Sequence, residues 1–127
     1  MTKYLKFIFY TSLIFLIIVS IYPGNLIGYL IFDDPGLEVG IGENSFGTSL
    51  NHFIYYFYIS LLGLFLYIRN TDFKRLLYVL IFISITLEFL HKVIPNRTFQ
   101  LSDLFANILG VLVAYFIIKI YLIRKRL

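Results

Sequence analysis

The sequence predicts an all-α integral membrane protein in which four transmembrane helices cross the bilayer and both termini are cytoplasmic. Three observations carry this: an apolar composition, four long apolar runs, and a one-sided distribution of Lys and Arg. The 127 residues are 60% hydrophobic, 20% aromatic and only 14% charged, with a mean hydropathy of +0.87. A soluble domain of ordinary composition is about 45–50% apolar and about 25% charged. Too few polar side chains remain here to cover a water-facing surface, which excludes a soluble enzyme domain, a disordered chain and a multidomain protein. The length predicts one domain over residues 1–127. Cysteine is absent, so disulfides, thiolate metal sites and thiol nucleophiles are excluded.

A bilayer core about 30 Å thick needs roughly 17–25 mainly apolar residues per helix. The first helix is predicted over about 5–22; after Lys3 and Lys6 it carries no charge. Such a start also suits a signal peptide, but residues 20–23 lack a small-x-small cleavage pattern, so an uncleaved helix is expected. The second helix is predicted over about 50–68. The third, about 76–94, is clean as far as Leu87 and then carries Glu88, His91 and Lys92; the fourth, about 103–123, is interrupted by Asn107 and Lys119. Lipid offers no partner for backbone N–H and C=O groups, so these runs must be helices rather than open strands.

Between the first two helices, the loop 23–49 holds six of the eight glycines and two of the three prolines. That composition predicts an irregular surface loop or lid, with residues 26–32 at the membrane interface. Its Gly40-x-Gly42-x4-Gly47 spacing resembles a phosphate loop only superficially, because no Gly-Lys-Ser/Thr follows and the loop carries four acids. Asn96-Arg97-Thr98 matches a glycosylation acceptor, which has meaning only in a eukaryotic secretory context.

Orientation follows from the basic residues. Lys3 and Lys6, then Arg69, Lys74 and Arg75, then Arg124, Lys125 and Arg126 fall on one side, whereas the loop 23–49 contains Asp33, Asp34, Glu38 and Glu43 and no Lys or Arg. Loops 23–49 and 95–102 are therefore expected outside. The formal charge of +4 is then a matter of insertion and anionic lipid, with the bilayer as partner and no nucleic acid. Oligomerisation is left open.

Ionisable groups inside membrane spans are costly and normally face a bundle interior or a polar cavity. Topology gathers His52, Glu88, His91, Arg97, Asp103 and Asn107 at one leaflet, where they can line one outward-facing pocket. Plainer roles compete: Ser102 or Asp103 as a helix cap, Asn107 as an interhelical hydrogen bond, His52 as an interfacial ring, and Arg97 as a partner of lipid phosphate or Asp103. Gly110 and Ala114 read as a small-xxx-small packing face. Glu88 resists a plain reading, since a carboxylate inside the bilayer needs a partner or a proton. Glu88-x-x-His91 has half of a di-iron bundle pattern, and His52, Glu88 and His91 have the ligand types of an open zinc site. HExxH is absent, and the expectation is no metal and no cofactor. The first helix lacks the embedded Glu of small four-helix drug exporters.

The ordered set His52-Phe53, Leu87-Glu88-Phe89-Leu90-His91, Pro95-Asn96-Arg97 and Asp103-x3-Asn107-x2-Gly110 resembles the VanZ-like family, named for a membrane protein accessory to glycopeptide (teicoplanin) resistance. The resemblance covers roughly residues 48–117. It matches that family's Asp-Lys-x-x-His, Glu-x-x-Gln, Pro-Gly-Arg-like and Asp-x-x-x-Asn-x-x-Gly segments and falls on His52, Glu88, Arg97, Asp103, Asn107 and Gly110. Thr48 and Ser49 stand where the family has Asp-Lys, His91 where it has Gln, Gln100 where it often has an acid, and Ala114 where a second Gly is common. The resemblance implies a bacterial cytoplasmic membrane and brings no defined biochemical activity.

The expected function is an envelope membrane protein whose pocket engages a lipid headgroup, a lipid-linked envelope precursor or a glycopeptide and contributes to teicoplanin resistance. Arg97 would meet an anionic group. Two other classes stay open: a small integral-membrane hydrolase or transferase using Glu88 and His52 as acid–base groups, which the absence of a recognisable nucleophile weighs against, and a structural partner subunit without a ligand.

Overall fold

The computed structural model describes residues 2–37 and 45–126. Five helices follow one another: α1 (Thr2–Ile21), α2 (Leu26–Phe32), α3 (Ser45–Leu66), α4 (Phe73–Leu90) and α5 (Leu101–Arg126), with no strand among the described residues. The four longer helices form a bundle in which α3 and α5 share the largest contact, and α1 and α4 pack on both α3 and each other. Glu38 and Glu43 and the Gly40-x-Gly42 part of the glycine spacing lie outside the described residues.

Three helices are long and apolar enough to cross a membrane, over Lys3–Ile21, Thr48–Leu66 and Leu101–Lys125. The third of the four expected spans is the exception. α4 is 18 residues long and carries Lys74, Arg75 and Glu88. It also ends at Leu90 rather than near residue 94, because the chain tightens there: His91, Lys92 and Val93 each bond back three residues, to Glu88, Phe89 and Leu90. Such turns are a usual way to end a helix, and Pro95, five residues after Leu90, disfavours helical backbone before it. Glu88 therefore lies two residues from the helix end, closer than the sequence spacing implied.

Packing is tightest where glycine permits it. A Cβ at Gly110 would lie 2.6 Å from the Phe53 carbonyl oxygen and 2.9 Å from the Phe57 nitrogen, so α5 rests directly on the α3 backbone. Ala114, one turn on, is fully buried. Towards the termini, Phe9, Leu64, Leu80, Val111 and Ile118 form a buried apolar core. The exterior is apolar as well: Phe7, Tyr78, Phe82 and Phe105 are among many large exposed side chains, an arrangement suited to lipid rather than water. α1 is the least buried of the long apolar helices, with 11% of its span inside the protein.

In place of a wholly irregular loop, residues 26–32 form a short helix. Asn25 caps it by accepting from the Gly28 N–H at 3.0 Å, and Asp33 ends it in the left-handed region at φ 55. The chain then doubles back, so that Asn25 N–H donates to the Pro35 carbonyl at 2.8 Å.

Candidate functional site

At the end of the bundle away from both termini, a cavity of about 460 Å³ opens among α1, α3, α4, α5 and the folded loop around α2. All six residues singled out by the sequence line it: His52 from α3, Glu88 from α4, His91 and Arg97 from the α4–α5 connection, and Asp103 and Asn107 from α5. Glu88, His91, Asp103 and Asn107 are buried, and the His52 side chain is 27% exposed.

The polar atoms form one connected set. His52 Nδ1 lies 3.0 Å from Asn107 Oδ1, and its Nε2 lies 3.6 Å from Asp103 Oδ2. Ser49 Oγ donates to Asp103 Oδ1 at 2.5 Å. Glu88 Oε1 accepts from the Gln100 N–H at 3.2 Å and faces His91 Nδ1 at 3.4 Å. Its other oxygen lies 3.5 Å from Asn107 Nδ2 and 3.9 Å from His52 Nδ1. The buried carboxylate thus has partners on both oxygens, as a charge removed from water requires.

Two residues tie the end of the first helix to the site. Arg97 donates from Nε to the Tyr22 carbonyl at 3.2 Å and from Nη2 to the Val19 carbonyl at 2.6 Å, and His91 Nε2 lies 3.2 Å from the Ser20 carbonyl. The last carbonyls of a helix lack internal partners, and a cation there also complements the helix dipole. Arg97 thus serves α1 in addition to lining the cavity. Asn96 makes this reach possible by taking a left-handed turn at φ 58, a conformation Asn tolerates better than most residues. Asp103 is the third residue of α5 and turns towards His52 and Ser49 instead of capping the helix.

Sequence reasoning passed over Ser49 and Tyr56 as site residues. Both share the inward face of α3 with His52, three residues before it and four after. That spacing was the available signal. Tyr56 lines the cavity, and its buried hydroxyl has no hydrogen-bond partner among the described residues. The backbone N–H of Gln100 was not detectable, because nothing in residue type marks it.

For metal chemistry the relevant set is His52, Glu88 and Asp103, which each place a ligand atom within 4.8 Å of the others. His91 stands behind Glu88 and completes no such group. Neither curated proteins nor solved structures give a match to this chain. The family model described as VanZ/LLP1 matches residues 7–123, and with the motif residues assembled around one cavity, the chain belongs to the VanZ/LLP1 family.

Proposed function

We propose that this is a four-span protein of the bacterial cytoplasmic membrane, with its termini inside and its pocket facing outwards, that binds the polar head of a lipid-linked envelope molecule. One observation carries the choice of ligand. The polar cavity shares Leu16, Val19, Ile27 and Tyr55 with an adjoining groove of about 370 Å³ between α1 and α3. That groove is almost wholly apolar, and Phe15 and Tyr58 at its rim are about half exposed. A polar chamber continuous with a lateral apolar groove suits an amphiphile, whose head sits among His52, Glu88, Asp103 and Asn107 and whose hydrocarbon chain lies along α1. A glycopeptide without an acyl chain has no use for the groove. In this reading, a role in teicoplanin resistance follows from binding the envelope precursor rather than the antibiotic. α4 crosses the membrane despite its charges because Glu88 is turned into the bundle and Lys74 and Arg75 lie at its first turn, at the interface.

Lipid extraction and mass spectrometry of the purified protein test this. A bound amphiphile is expected, reduced at least about tenfold in Glu88→Gln, since a hydrogen bond to a charged group contributes about 1.5–3 kcal/mol and about 1.4 kcal/mol is tenfold in affinity. Membrane levels of the variant should match the wild type. Equal lipid content in both, with teicoplanin susceptibility also unchanged, sinks the reading.

A further inference from the structure

With a neutral His52, hydrogen bonding alone does not explain the geometry of the pocket's polar core. Asn107 Nδ2 faces Glu88 Oε2, and an ionised carboxylate only accepts, so Asn107 Oδ1 is the atom turned towards His52. Oδ1 also only accepts, which puts a proton on His52 Nδ1. In a neutral imidazole Nε2 then carries a lone pair. That lone pair faces Asp103 Oδ2 at 3.6 Å. Two electron-rich atoms confront each other, and a positive centre belongs between them. The separation is long for a charge-assisted hydrogen bond, about 2.7–2.9 Å. It is close to the roughly 3.3 Å between two ligands bound at about 2.0–2.1 Å to a tetrahedral ion.

We propose that His52 Nε2, Asp103 Oδ2 and one carboxylate oxygen of Glu88 bind one divalent first-row transition-metal ion of the zinc type, with a remaining coordination position open to the cavity. Three helices each supply one ligand, and one ligand atom of each lies within 4.8 Å of the others. An imidazole with two carboxylates selects zinc-like ions over magnesium or calcium, which prefer oxygen alone. The strongest support lies behind the ligands, because metal-binding side chains are held by outer partners. Here every ligand has one: Asn107 on His52, Ser49 on Asp103, and the Gln100 N–H on Glu88. A divalent ion also offsets the two buried carboxylates, which lipid surroundings make costly. His91 is not a ligand, because its ring nitrogens face the Ser20 carbonyl and Glu88 Oε1.

The inference rests on the pocket's geometry and not on the identity of an amphiphile, so either can fail without the other. The full chain, purified in detergent and stripped with chelator, is titrated with Zn2+ by calorimetry and with Co2+ by visible absorbance. One equivalent should bind, with the intense absorption bands of four-coordinate Co2+, and added Zn2+ should raise the melting temperature reversibly. His52→Gln and Asp103→Asn remove a ligand and should weaken binding beyond the about 10–100-fold typical of losing an outer partner, whereas His91→Gln removes only an outer partner of Glu88 and should stay within that range. Circular dichroism and elution volume establish that each variant is folded. If His52→Gln does not fold, Asp103→Asn and the wild-type melting shift decide. Folded wild type that takes up neither ion overturns the proposal and leaves a protonated His52 between the carboxylates. Binding unchanged in Asp103→Asn, or lost equally in His91→Gln, overturns the ligand set.

Discussion

The two ends of the bundle are held together by different forces. At the pocket end, α1, α3, α4 and α5 are joined through named polar atoms: Arg97 and His91 to the Val19 and Ser20 carbonyls of α1, Asn107 to Glu88 of α4, His52 to Asn107, Ser49 to Asp103. At the end bearing the termini, the contacts are mainly apolar, with Phe9, Leu64, Leu80 and Ile118 buried together, and one exposed hydroxyl pair, Tyr10 and Tyr67 at 2.6 Å, joins α1 to the end of α3. In water the apolar end would dominate stability. In lipid the surrounding chains are as apolar as leucine, so packing and directional hydrogen bonds decide which helices stay adjacent. The polar end therefore does more than form a site: it also selects the arrangement of the helices. The apolar end contributes through fit.

Two glycines allow that contrast to be broken. A Cβ at Gly110 meets the α3 backbone at 2.6 and 2.9 Å, atoms that cannot yield without moving the helix. One at Gly63 meets the ring of Phe9 at 2.5 Å, a side chain on the lightly buried α1. Overpacking typically costs about 1–3 kcal/mol, while Ala is favoured over Gly in a helix by about 1 kcal/mol. Gly110→Ala should therefore have the largest effect, destabilising the detergent-solubilised protein by about 2 kcal/mol net. Because α5 would shift away from His52, it should also perturb the pocket. Gly63→Ala should be within about 1 kcal/mol of neutral. Thermal melting of both variants checks this, and equal destabilisation would mean that the closeness of α3 and α5 has no special weight.

The same difference explains what could be read from the sequence. Polar residues inside apolar runs are rare because they are costly, so His52, Glu88, Asp103 and Asn107 stood out before their positions were known. Their gathering followed from topology alone: alternating helices bring the end of one span beside the start of the next. Arg97 is only half legible in the sequence, since an arginine next to a polar cluster suggests an anion, while the carbonyls at the end of α1 carry no mark in residue type. Helix limits were less legible still. α5 runs on to Arg126 because Lys and Arg are good helix formers, although composition marks them as the end of the apolar run. The α2 helix was hidden by glycines, and only the spacing from Asn25 to Gly28 betrays its cap.

Arg97→Ala tests the polar end directly. It removes two hydrogen bonds from a charged donor and leaves the Val19 and Tyr22 carbonyls without these partners. Hydrogen bonds to charged groups contribute about 1.5–3 kcal/mol each, reduced here because the arginine is only partly buried. A loss of about 2 kcal/mol is expected, and it should be local. Hydrogen exchange should speed up in the last turn of α1 while the amides around Phe9 remain protected. Uniform acceleration along α1 would show that the two ends are not separable.

Leu64→Ala makes the matching change at the apolar end and should be the mildest of the destabilising set. Leu64 is fully buried, and in a water-soluble protein such a truncation costs about 2–5 kcal/mol, part of it transfer and part of it the cavity left behind. The transfer part largely vanishes when the unpacked helix exposes the same side chain to lipid or detergent. The cavity part alone leaves about 1–2 kcal/mol. Lipid and metal binding at the pocket should stay at wild-type levels, because Phe9, Leu80 and Ile118, which share the core with Leu64, do not line the cavity. A cost near 4 kcal/mol would mean that the apolar end is held by a water-like hydrophobic effect, and the contrast between the ends would have to be drawn the other way.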